Sequence, residues 1–300
     1  MDMTQNKCCR HGANLRRRRR RRRKILRSII FSCSIIAVIV FVAVESSMIR
    51  SGDGRTNRYD VEAGNNTYDN AVIENSKISE KNKIQNNQSM LDDIMNSTQY
   101  PKQLKDLALK NEEALEFVYD YPAEHVKEHT IDLTEEASMD SVPLFVQWDK
   151  RWGYEKYSGN FFAASGCGPT TLSMVVVYLT HDREASPIAV AKYSKEAGYS
   201  VDGSGSSWTL ISEGCRHYGV KAKTVALDES RMKAELDAGH PIVINVGPGD
   251  FTDTGHFMVI TGYDDEGFSI NDPNSIEKSG KRWLFKNISS QIRAVWSMYV

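Results

Sequence analysis

The chain has 300 residues, 40% of them hydrophobic and 26% charged, a balance that supports a folded core and excludes a wholly disordered, collagen-like or multi-span membrane chain. Its formal net charge of -1 conceals an asymmetry, because residues 1–27 carry twelve Lys and Arg against one Asp while the remainder carries 26 basic against 38 acidic groups. A basic tip on an acidic body bears on topology and partners rather than on fold.

Eight consecutive arginines, Arg16 to Arg23, precede sixteen uncharged residues from Ile29 to Val44, and counted from Ile25 the apolar stretch reaches twenty. Twenty helical residues at about 1.5 Å each cover the roughly 30 Å hydrocarbon layer of a bilayer. Positive charge beside a single apolar segment holds that flank in the cytoplasm. The expectation is a basic cytoplasmic tail over 1–27 and a single-pass transmembrane anchor over 28–45, with everything beyond on the outer face of the cell membrane. A signal peptide has the same order, and cleavage after Val42-Ala43-Val44 would instead release a secreted protein. The arginine run has no interleaved aromatic residues, so no nucleic-acid partner is expected.

Residues 46–99 are rich in Asn, Ser, Asp, Glu and Lys with few large hydrophobes, the composition of a disordered linker. Pattern returns over 100–140. Leu104, Leu107 and Ala108 share one helix face, Asn111 interrupts, and Ala114, Leu115, Phe117 and Val118 form a second short helix ending near Tyr121-Pro122. This helical lead-in is expected to pack on the domain rather than serve as a removable inhibitory segment.

Residues 141–300 have the length of one domain. Helices are predicted over 168–179, over 187–197 with Ser186 as cap and Gly198 beyond the end, over 208–218 closed by Gly219, and over 229–238 closed by Gly239. Short β-branched or aromatic segments then follow at 241–246, 257–263, 267–271 and 283–285. Helices first and strands afterwards predict an α+β domain with an antiparallel sheet.

Cys167 stands in Ser-Gly-Cys-Gly-Pro-Thr-Thr, directly before an apolar helical run. At a helix amino terminus the dipole and free N–H groups favour thiolate, which prepares a nucleophile. A buried cysteine acting as a small hydrophobe is the plainer reading, but glycines on both sides let a substrate or another backbone approach. His256, after Gly255 and before Phe-Met-Val-Ile, sits at the mouth of a strand. Asp272 follows the strand Phe268-Ser269-Ile270-Asn271. If the two strands pair through the turn 264–267, Asp272 can accept from the imidazole, although Asn-Asp-Pro-Asn is also good turn material. Gln147 offers an amide donor for an oxyanion hole.

The ordered set of Gln147, Gly-Cys-Gly-Pro, Gly-His-Phe-Met-Val-Ile and Asn-Asp-Pro resembles the papain superfamily, and within it the bacteriocin-processing, double-glycine leader peptidases and their free-standing bacterial relatives. The resemblance covers about 142–300. It implies a papain-like fold, with the nucleophile at a helix amino terminus packed on an antiparallel sheet. It further implies Cys167 as nucleophile, His256 as general base and acid, Asp272 as orienting carboxylate and Gln147 as oxyanion donor. Gly166, Gly168, Gly255 and Trp208 fall in the implied substrate cleft, and no cofactor is implied. In the exporter enzymes the Gln lies only a few residues before the Cys, whereas Gln147 is twenty upstream. No exporter region follows Val300, so the double-glycine leader is not carried over as substrate.

The expected activity is hydrolysis of peptide bonds in a peptide or protein substrate by a membrane-anchored cysteine peptidase. The alternatives are a peptidoglycan stem-peptide amidase of the same superfamily and a tethered peptide-binding module without catalysis. Cys215, beside His217, could bridge to Cys167 in an oxidising exterior, but five cysteines with three near the membrane segment make no disulfide framework. Cys167, Cys215, His217 and His256 lack a paired metal-ligand spacing, and the acids at 250, 253 and 264–266 do not match a calcium loop, so no metal is expected. The segment 202–207 reads as a flexible loop near the cleft.

Overall fold

The computed structural model describes residues 61–300. The chain divides into two compact units between Ser76 and Lys77, and the fold below is that of Lys77–Val300. The expected basic tail and membrane anchor, 1–27 and 28–45, lie outside the described residues. Among the described residues no helix is long and apolar enough to cross a membrane.

The expectation of a disordered linker over 46–99 is corrected over its second part, where helix α1 runs Val61–Asn96. Its carboxy-terminal turns belong to a core: Ile94 is fully buried, and Met90 and Leu91 pack against the same cluster. Met90, Leu91 and Ile94 are too few in an Asn-rich stretch to announce a helix, and the packing partners that order them arrive only later in the chain.

Those partners are the lead-in. Helix α2 (Lys102–Lys110) ends at Asn111, whose backbone N–H bonds Leu107. Asn111 then caps a 3₁₀ turn, Glu112–Ala114, by accepting from Glu113 N, and helix α3 (Leu115–Tyr119) follows. Leu104, Leu107, Ala108, Ala114, Leu115, Phe117 and Val118 are all buried, together with Phe161 and Ala163 of the domain. The lead-in therefore packs on the chain just upstream of Cys167. Phe117 stacks on Tyr154 at 4.2 Å between centroids. A Cβ at Gly153 would lie 2.7 Å from the Phe117 ring, so the glycine is what admits it.

Helix α4 (Cys167–Thr180) is buried at every residue from Gly168 to Val177, and an apolar run enclosed on all sides needs no amphipathic period. Helix α5 (Pro187–Glu196) starts with the Ser186 hydroxyl accepting from Ala189 N, as the cap predicted. Helix α6 (Glu229–Asp237) is capped by Asp228. The single helix expected over 208–218 is instead a turn, Thr209–Ser212, and a 3₁₀ segment, Gly214–Tyr218. The break falls at Glu213, just before Gly214, where a Cβ would stand 3.1 Å from the Tyr199 ring.

A six-stranded, wholly antiparallel sheet comprises β1 (Lys221–Thr224), β2 (Ile242–Val246), β3 (His256–Asp264), β4 (Gly267–Asn271), β5 (Arg282–Trp283) and β6 (Ile292–Tyr299). Its spatial order is β1-β6-β2-β3-β4-β5. Strands β1 and β6 carry no sequence prediction, although β6 lies between β1 and β2. Alternation divides two cores: Val243, Phe257 and Val259 join the residues of α4 and α5, while Ile242, Ile244, Met258 and Ile260 join Met232 and Leu236 of α6. The α+β architecture with an antiparallel sheet is thus as expected.

Candidate active site

The site is built where the start of α4 meets the end of the sheet. Cys167 is the first residue of α4, preceded by Gly166 as the N-cap residue. The approach to it is fixed by polar bonds. Ser165 Oγ donates to the carbonyls of Tyr157 and Phe161, and Gly166 N donates to Phe162 O at 2.7 Å. Burial of α4 holds the far end of the helix, so the thiol is left half-buried at a rigid terminus.

His256 opens β3 and pairs with Val246 of β2. Across the hairpin, Val259 faces Asn271. One further step of that register sets Asp272 beside Met258, two residues along from His256, within diagonal reach. His256 Nε2 lies 2.7 Å from Asp272 Oδ1, and both side chains are buried. The same oxygen accepts from Asn274 N at 2.8 Å, so the Asn-Asp-Pro-Asn turn both caps itself and presents the carboxylate.

The Cys167 and His256 side chains interact electrostatically, each shifting the other's titration. Burial alone would push the Cys167 thiol up. The interaction with His256 and the backbone of Phe257 and Gly168 outweigh that and hold the thiol below its ordinary range. Burial likewise favours neutral His256, but the charge and hydrogen bond of Asp272 and the adjacent thiol hold the imidazole well above its usual value. Opposite shifts in one buried pair favour thiolate beside imidazolium. A bond between α4 and β3 fixes their spacing: buried Thr171 Oγ1 donates to Phe257 O at 3.0 Å. Residue-type reasoning missed Thr171, because hydroxyls recur along α4 at Thr170, Ser173 and Thr180 and nothing in the sequence singles this one out.

Gln147 is buried between the two halves of the site. Its backbone N donates to Pro273 O at 2.7 Å and its Nε2 to Ala163 O at 2.7 Å. The Ala163 carbonyl requires the amide nitrogen on that side and uses one of its two hydrogens. Gln147 Oε1 and Asp272 Oδ2 are, among the described residues, the two buried side-chain polar atoms without a hydrogen-bond partner.

The four cleft expectations divide. Gly255 is exposed beside His256, with nothing nearer than 4.0 Å to the place of a Cβ. Trp208 is also exposed, its ring edge-on to Trp296 at 6.0 Å. Gly166 and Gly168 are closely packed: a Cβ would stand 2.6 Å from the Phe162 ring at the first and 2.5 Å from Ser206 Oγ at the second. Cys167 and Cys215 are both free thiols. Cys215 is buried, with its thiol pushed up to about 11 by burial, while His217 stacks on Tyr193 at 4.0 Å. Among the described residues no group of three or more His, Cys, Asp or Glu side chains could hold a metal ion.

A thiol at a helix start, on an α+β fold that also presents an imidazole bonded to a carboxylate, is a set of groups that thiol hydrolases use. The model of the Peptidase_C39 like family matches residues 139–300, and the chain belongs to that family. Membership points to a cysteine-peptidase hydrolase and to peptide or protein substrates. Two similar solved structures are the peptidase domain of Streptococcus ComA, a bifunctional ABC transporter of a quorum-sensing pathway, and a C39-like peptidase from Bacillus anthracis. The first is 18% identical, covers 53% of this chain and 96% of its own, and has a TM-score of 0.38. The second is 17% identical, covers 53% and 95%, and has a TM-score of 0.34. No curated protein matches the chain.

Proposed function

We propose that the protein is a membrane-tethered cysteine peptidase of the outer cell surface that cleaves peptide bonds with Cys167 as nucleophile, His256 as base and acid, and Asp272 as orienting carboxylate. The observation that carries the reading is the buried His256–Asp272 hydrogen bond, with His256 electrostatically coupled to the thiol at the head of α4. The thiolate attacks the scissile carbonyl carbon, forming the C–S bond as the carbonyl electrons move to oxygen. The second N–H of the Gln147 amide and the Cys167 backbone N–H receive that oxyanion. Collapse expels the amine, which takes its proton from imidazolium. Neutral His256 then takes a proton from water as its hydroxide attacks the thioester, and the acid product leaves with thiolate and imidazolium restored.

The tether rests on the basic-then-apolar order of residues 16–44. Its test is exposure of the domain to added protease on intact cells, with loss of exposure after deletion of 28–45. The chemistry is tested with a peptide carrying a thiol-reactive electrophile. Parent protein is labelled at Cys167 and Cys167→Ala is not, with both folded; labelling at Cys215 instead would overturn the assignment.

A further inference from the structure

The turn that carries Asp272 is held from outside the family domain. Asn111 and Glu113 belong to the lead-in, upstream of the residues 139–300 that the family model matches, yet both reach the turn. Asn111 Nδ2 donates to Asn274 O at 2.9 Å and to Asn274 Oδ1 at 3.1 Å. Glu113 accepts from the Ser275 hydroxyl on one oxygen, and from Ile276 N at 2.7 Å and Glu277 N at 3.1 Å on the other. Asn111 Oδ1 in turn accepts from Glu113 N at 3.0 Å, which locks the two residues together. Asn274 is the residue whose backbone N–H holds Asp272 Oδ1, the oxygen that meets His256.

We infer that Asn111 and Glu113 are positioning residues, and that the lead-in is an integral support of the Asp272 turn. The inference rests on the triad proposed above. Helices α2 and α3 are fixed by their own core, so they offer a rigid mount, and the polar bonds from Asn111 and Glu113 transmit it to the carboxylate. Domain-side bonds from Gln147 N to Pro273 O and from Trp148 Nε1 to Asn274 O hold the turn from its other flank. Supports of this kind orient a carboxylate without touching the reacting atoms.

The test uses the full chain and the rate at which iodoacetamide alkylates Cys167 across pH, a readout of the thiolate–imidazolium pair that requires no substrate. Asn111→Asp keeps the acceptor that caps Glu113 N but removes both donated bonds. Glu113→Ala removes all three acceptances. Glu113→Gln can still accept both backbone N–H groups and donate to Ser275. The first two are expected to slow alkylation about tenfold on the acid limb, where thiolate forms, and to move that limb up by about one pH unit, the equivalence of one pKa unit. Glu113→Gln should stay within about twofold of parent, a rescue that general loss of packing does not give.

Parent-like rates and limbs in both Asn111→Asp and Glu113→Ala overturn the inference. So does a Glu113→Gln defect as deep as that of Glu113→Ala. If Glu113→Ala does not fold, Asn111→Asp decides alone. A parent chain whose Cys167 alkylates like an ordinary thiol removes the triad itself, and the inference with it.

Discussion

Every residue of α4 from Gly168 to Val177 is buried, whereas the turn behind Asp272 exposes Ile276 and Glu277 and is tied down by side-chain hydrogen bonds. The sulfur is positioned by packing and the carboxylate by polar contacts. Packing is collective, so disturbing it costs stability first. Hydrogen bonds at a surface turn are local, and disturbing them alters the imidazole before it alters the fold. The two halves of one site should therefore fail differently.

The largest effect is expected at the carboxylate. Asp272→Asn should lower the rate of hydrolysis about 10²- to 10⁴-fold, the range of positioned acid–base help. The sign of its pH effect follows from the shifts. Asp272 raises His256, so imidazolium persists to higher pH in the parent; its removal lets that proton leave earlier and moves the alkaline limb down. The acid limb belongs to the thiol, which is held low, and activity falls there as pH drops through it. An unchanged alkaline limb in Asp272→Asn would contradict the geometry.

On the packing side, Leu172→Ala removes a fully buried side chain and should cost about 2–5 kcal/mol of stability. Chemical denaturation measures this. The folded fraction should retain the parent pH profile, and a profile displaced as far as that of Asp272→Asn would erase the contrast between the halves. The smallest effect is expected at their junction. Thr171→Val leaves Phe257 O without its donor and should cost about 1–3 kcal/mol, together with a modest loss of thiol reactivity because the Cys167–His256 spacing loosens.

What could be read in the sequence was local. Cys167 before an apolar run, Ser186 before Pro187, and Gly267 in the β3–β4 turn each carry their conformation in a few neighbouring residues, and the structure follows them. The hairpin register from that turn makes the meeting of His256 and Asp272 foreseeable. Strand β6 escaped because Arg293 and a register shift between Ile292 and Ala294 break its alternation. Helix α1 escaped because its order depends on Leu104 and Val118, partners supplied later in the chain. Gly166 and Gly168 admit the Phe162 ring and Ser206, a close packing that the sequence alone does not show. Asn111 was visible only as an interruption, its distant partner being 163 residues away.

The central claim is an ionised thiol at the head of α4, and the most direct test is the ultraviolet absorbance of thiolate followed through a pH titration, taken as the difference between parent and Cys167→Ser. The account predicts that Cys167 deprotonates well below the roughly 8.5 of a free cysteine and that Asp272→Asn moves the transition upward. A transition at about 8.5 or higher, indifferent to Asp272, would contradict it.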